Sequence, residues 1–129
     1  MNGNRTRWLV DGMNVIGSRP DRWWRDRPGA MRRLVERLER FARDTGEPVT
    51  VVFDSRPRDW DQETEEIGVV FAGRRGRDAA DEEIVRMVEE DGDPGSLSVV
   101  SSDRLLAENA RHAGARIVSS GAFLERLER

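Results

Sequence analysis

Residues 49–54 read VTVVFD. The run is β-branched and stays apolar on both faces of an extended chain. A strand of that kind is buried above and below, as in a parallel sheet with helices on both sides. It also closes on a carboxylate, Asp54. Outward from this run the pattern repeats. RWLVD at 7–11, IGVVFA at 67–72, LSVVS at 97–101 and ARIVS at 115–119 read as the other strands. Helical patterns separate them. Met31, Leu34, Val35, Leu38, Phe41 and Ala42 form one stripe over residues 29–44, and Gly46 fits the stop. Residues 79–90 bury Ile84, Val85, Met87 and Val88; residues 103–113 use Leu105, Leu106 and Ala110; GAFLERLER forms a terminal helix. This alternation, with right-handed crossovers, predicts a doubly wound α/β domain. The stretch 17–28 (GSRPDRWWRDRP) reads as a loop, and 55–66 (SRPRDWDQETEE) as a loop or a short helix. With no internal repeat and no long linker, one domain over residues 1–129 is expected.

Composition removes several classes of function. The absence of cysteine excludes disulfides, thiolate metal sites and a cysteine nucleophile. No apolar run approaches the ~20 residues that span a bilayer. The start MNGNRTR lacks an apolar signal core, so a cytoplasmic location with no membrane partner is expected. All 22 basic residues are arginine, against a net charge of −3. GC-rich codon usage accounts for that abundance. Arginine's planar fork nevertheless suits phosphate, so where the arginines fall matters. There is no GxxxxGK[ST] loop, no GxGxxG after the first strand and no GxSxG elbow. The single histidine, His112, sits late in the chain and reads as a surface or packing residue.

Ligands of an open parallel sheet bind beyond the carboxyl ends of its strands. The first strand ends in Asp11, the second in Asp54, and the fourth runs into Ser101, Ser102 and Asp103. Asp81 falls in the first turn of the helix after the third strand. Each acid has an ordinary explanation. Asp103 or Ser102 fits a helix cap, Asp78 and Asp81 have capping-box-like spacing, and Asp54 fits a bond to loop amides. Asp11 is harder to explain singly, because a buried carboxylate needs a partner, a cap to make or a metal. Together, the four repel one another unless a cation lies among them. An oxygen-only donor set suits Mg²⁺ or Mn²⁺.

An acidic pocket that takes nucleic acid needs basic groups around it. Arg19, Arg22, Arg25 and Arg27 interleave with Trp23 and Trp24, while Arg74, Arg75 and Arg77 lie in GRRGR, and Arg104 follows Asp103. The first group has Asp21 and Asp26 to pair with, and the tryptophans suit packing over the sheet edge as well as stacking on an unpaired base. GRRGR holds no internal acid, which makes it the better phosphate candidate.

The runs VDGMNVIG, VVFD, AADEEI and VVSSDR, in that order, resemble the YacP-like group of NYN domains within the PIN-like nuclease superfamily. The resemblance spans about residues 7–128. It implies a Rossmann-like, mainly parallel sheet of order 3-2-1-4-5 with an acidic metal site at its carboxyl edge. It further implies Mg²⁺- or Mn²⁺-dependent cleavage of RNA, expected to be endonucleolytic on single strands. Asp11, Asp54, Asp81 and Asp103 match the family's acidic positions, and Asn14 its polar one. On this reading Asp11 and Asp103 are the central ligands and Asp81 completes the site. Asp54 binds through water or serves a second ion. Asn14 and Ser102 position phosphate or fix Asp11 by a hydrogen bond, and Arg22, Arg25, Arg74, Arg75, Arg77 and Arg104 hold RNA. Asp11, Asp81, Asp103 and Asn14 are thus the candidate catalytic residues. Met13 stands where relatives often carry Tyr, and the chain is shorter than many bacterial members. Ribosome association is not assumed, and a homodimer stays open. The alternatives are a non-catalytic RNA- or protein-binding module and a nucleotide phosphohydrolase.

Overall fold

The computed structural model describes residues 5–73 and 78–129. The five strands are β1 (Arg7–Asp11), β2 (Val49–Phe53), β3 (Gly68–Phe71), β4 (Leu97–Val100) and β5 (Arg116–Val118). They form one sheet of order β3-β2-β1-β4-β5, and every neighbouring pair is parallel. Each strand matches an apolar run in the sequence to within a residue at either end. The order is the one the resemblance implies.

Side chains alternate across the sheet with period two. Trp8, Val10, Val51, Phe53 and Val100 belong to one core, with Met31, Leu34, Val35, Leu38 and Phe41 of α2 (Arg27–Thr45) and Phe123 of α5 (Ser120–Leu127). Leu9, Val52 and Val99 belong to the other, with Ile84 and Val88 of α3 (Ala79–Glu90) and Leu106 and Ala110 of α4 (Arg104–His112). The result is three layers, with helices on both faces of the sheet. An aromatic group anchors the first core. Trp8, Phe41 and Phe123 lie 5.1–5.7 Å apart between ring centroids, and such pairs add ~0.5–1.5 kcal/mol each beyond the area they bury.

The apolar stripe of α2 is buried as its spacing predicts. Asp26 caps the helix by accepting from the Gly29 amide at 3.1 Å. Gly46 ends it in the left-handed region, φ 71°, with its amide on the Ala42 carbonyl at 2.8 Å. Residues 54–67 contain no helix or strand. They are pinned by Trp60, which is buried against Phe53 and Phe71.

Three local expectations change. Leu105, expected on the packing side of α4 with Leu106 and Ala110, is 67% exposed, and only the other two are buried. A short helix, α1 (Gly12–Gly17), follows β1 directly, where the sequence showed only apolar residues resuming. Within 17–28, Trp23–Asp26 form a 3-10 turn. Among the described residues no helix is long and apolar enough to cross a membrane.

Candidate active site

The strand register fixes what meets at the carboxyl edge. Val10 lies opposite Val100 and Asp11 opposite Val52. Asp11 therefore stands level with Ser101 on one side and just short of Asp54 on the other. It is only 4% exposed. The Ser101 hydroxyl donates to Asp11 Oδ2 at 2.8 Å, and the same hydroxyl oxygen accepts from the Asp103 amide at 3.1 Å. One serine thus ties the end of β1 to the start of α4.

No described arginine pairs with Asp11. Burial pushes its carboxyl up to about 6, opposed by the Ser101 bond and the Asn14 backbone amide and assisted by the charges of Asp103 and Asp54. Asp81, at the start of α3, is likewise raised to about 6, first by burial and then by the charges of Asp11, Asp103 and Asp78. The four acids are therefore close enough to act on one another across three strand ends and a helix start. Burial, reinforced by the neighbouring carboxylates, holds two of them above the ordinary carboxylate range.

The other two acids have local duties. Asp103 is the N-cap of α4, its Oδ1 accepting from the Leu106 amide at 3.0 Å. Ser102, the rival cap, does not serve in that way. Its hydroxyl oxygen accepts from the Ser120 amide at 3.0 Å. Asp54 forms an ion pair with Arg27. Asp78 occupies the N-cap of α3 with no capping bond from its side chain. In these positions no three acidic or histidine side chains among the described residues converge tightly enough to hold an ion.

Asn14 Oδ1 accepts from the Ser102 amide at 2.9 Å and the Ser120 hydroxyl at 2.7 Å. It fastens α1 to the β4–α4 loop and to the start of α5. Gly12 also has a different reason from the sharp turn its place after a strand invites. Its φ is not left-handed. A Cβ there would lie 2.5 Å from the Phe53 ring, so glycine is what allows α1 to sit on β2.

The expected RNA-binding arginines divide. Arg22 and Arg25 are exposed on the loop between α1 and α2, and Arg104 is exposed at the start of α4. Arg19 pairs with Glu128. The expected pairing of this loop with its own acids is replaced by Asp26 capping α2 and Arg27 reaching Asp54. Arg74, Arg75 and Arg77 lie outside the described residues. His112 is exposed in the last turn of α4. Sequence reasoning missed Ser101, Ser120 and the Arg27–Asp54 pair. Only Ser101 carried a signal, a hydroxyl at a strand end level with Asp11.

The model of the YacP-like NYN domain family matches residues 8–129. The fold superimposes on the crystal structure of Rae1 (YacP) from Bacillus subtilis with a TM-score of 0.78 at 25% identity, covering 95% of this chain and 73% of that one. The W164L mutant of the same protein gives 0.78 at 24% identity, covering 95% and 75%. A search of curated proteins finds no match. NYN domains are PIN-like nucleases, a group generally dependent on a divalent metal.

Proposed function

The chain belongs to the YacP-like NYN domain family, and from that premise we propose that it is a ribonuclease, dependent on Mg²⁺ or Mn²⁺, that cuts single-stranded RNA internally and acts as one domain. The observation that supports this best is Asp11, a buried carboxylate with no cationic partner among the described residues. A protein gains nothing in stability from such a group, whereas a divalent ion relieves it.

As placed, the acids do not close on a common point among the described residues, but their chemistry suits a hard cation. Asp11, Asp81 and Asp103 would hold it once drawn together, with Asp54 at the margin through water, and all are oxygen donors. A bound ion supplies charge neutralisation on the phosphate and a lowered pKa for coordinated water. The rest falls to the chain itself. Without an ion the Asp11 and Asp81 carboxyls are raised to about 6, so an ion that binds them would displace protons and bind more tightly as pH rises. Ser101 holds the Asp11 carboxylate in place. Asn14 has its oxygen engaged twice, so the amide NH₂ is the group it offers to a phosphate. Arg27 meets Asp54 through one terminal nitrogen and retains further N–H groups for a phosphate oxygen. Arg22, Arg25 and Arg104 extend the basic rim.

The purified protein with Mn²⁺ or Mg²⁺ is expected to cut an internally labelled unstructured RNA and leave free nucleotides intact. Asp11→Asn removes that activity while the protein stays folded. Equal cleavage by the variant, or none with any divalent metal, contradicts the proposal. Hydrolysis of nucleotides in preference to RNA identifies a phosphohydrolase instead.

A further inference from the structure

Two adjacent tryptophans on the loop between α1 and α2 have opposite fates. Trp23 packs against the core and lies over Gly17 at the end of α1, where a Cβ would be 3.9 Å from its ring. Trp24 is 63% exposed, one of only two large hydrophobic residues so presented among the described residues. The two rings meet edge to face at 6.1 Å between centroids. Trp24 is thus propped by a buried neighbour, on a 3-10 turn that leads straight into α2.

The residue before the pair reinforces the point. Arg22 adopts a left-handed backbone, φ 57°, the only described non-glycine residue to do so. That conformation is unfavourable for a side chain without local hydrogen bonding. Here it sets the turn that presents Trp24. Arg22 and Arg25 are both exposed, and neither forms an ion pair among the described residues. The turn also connects to the acids. Arg27 reaches Asp54, and it lies three residues beyond Trp24, so the α-carbons of Trp24 and Arg27 are at most ~11 Å apart.

We propose that Trp24 is a stacking platform for an unpaired RNA base, with Arg22 and Arg25 on the flanking phosphates, and that it gives the site its preference for single strands. An indole face stacks on any base that is free of a helix. It cannot reach a paired base without breaking the pair. Arginines beside it supply backbone contacts that tolerate any sequence. The inference rests on the nuclease reading for its substrate. It differs in being testable by binding alone.

The experiment measures affinity without turnover. Asp11→Asn protein, with and without Trp24→Ala or Trp24→Phe, is titrated with an unstructured RNA 12-mer, with the same strand carrying one abasic position at each site in turn, and with the blunt duplex. Trp24→Ala is expected to weaken single-strand binding ~5- to 100-fold and leave duplex binding unchanged. Trp24→Phe should retain most of the affinity. One abasic position should reproduce the loss in the parent and cost nothing further in Trp24→Ala. Unchanged single-strand affinity, or an equal loss on single strand and duplex, overturns the platform. So does a Trp24→Ala protein whose elution in size-exclusion chromatography shifts from dimer to monomer, which marks the ring as a contact between copies. If the wild type cuts RNA but Trp24→Ala binds it as before, only the platform fails. If the wild type neither binds nor cuts, the nuclease reading fails too.

Discussion

β1 carries a charged side chain at each end, and the fold treats the two ends oppositely. At the amino end, Arg7 is fully engaged. Its Nε donates to the Ser96 hydroxyl at 2.8 Å, and its terminal nitrogens hold both Asp91 oxygens at 2.8 and 3.0 Å and the Asp93 carbonyl at 2.9 Å. The pair stabilises both charges: the Arg7 guanidinium is pushed up and the Asp91 carboxyl pulled down, each mainly through their mutual hydrogen bonds. At the carboxyl end, Asp11 has one hydroxyl, one nearby amide and three acidic neighbours within electrostatic reach. The two ends belong to one five-residue strand, so local composition does not account for the difference. One end is paired within the chain, and the other has no cationic partner among the described residues, which is where the proposed ion would act.

Mutating the two ends should separate stability from activity. Asp11→Asn is expected to lower RNA cleavage on the order of 10³-fold or more. The same change should raise the stability of the metal-free protein at pH 7.5 by ~1–3 kcal/mol in urea denaturation, because a buried charge is gone. A variant that loses both activity and stability would mean that Asp11 is structural.

The ends should also respond to pH with opposite signs. Asp11 keeps its proton in the folded protein up to about 6, while the unfolded chain releases it near ~3.9. Metal-free stability therefore falls as pH rises from 4 to 6, by on the order of 3 kcal/mol from Asp11 alone. Asp91 lies below its usual value. Its contribution is present above the unfolded value and is lost as pH falls through the folded one. Stability measured between pH 3 and 8 should peak on the acid side, and Asp11→Asn should flatten the fall above it. A fall that persists in the variant points to Asp81, which Asp81→Asn then tests.

Ser101→Ala should cost ~10- to 100-fold in cleavage, as for other groups that orient a metal ligand. It should also move the acid limb of the rate profile to higher pH, since the Ser101 bond holds the Asp11 carboxyl down. The smallest effect belongs to the other end. Arg7→Ala is expected to cost ~1–2 kcal/mol of stability and leave the cleavage rate per folded molecule unchanged.

Much of this molecule is legible in its sequence, for identifiable reasons. β2 and β4 are apolar on both faces, and α2 repeats its stripe over more than three turns, so period and burial agree. α1 was not legible. GMNVIG is too short to show a period, and it is helical because Gly12 lets it pack against Phe53. The burial of Trp60 was equally hidden, since its partners Phe53 and Phe71 come from two other segments. The acids were visible because each ends a strand or begins a helix. Their individual duties were not, because Asp103 caps and Asp54 pairs through contacts that only tertiary packing defines. GRRGR lies partly outside the described residues, and its expected role stays a proposal.

The central claim is that the carboxyl end of β1 is completed by a divalent ion. It is tested most directly by thermal unfolding of wild type and Asp11→Asn at pH 7.5, each with and without saturating Mn²⁺. Ion bound to the native state raises the melting temperature by mass action. The account predicts a clear rise for the wild type and little or none for the variant, which starts higher without metal. No rise in the wild type, or the same rise in both proteins, would contradict it.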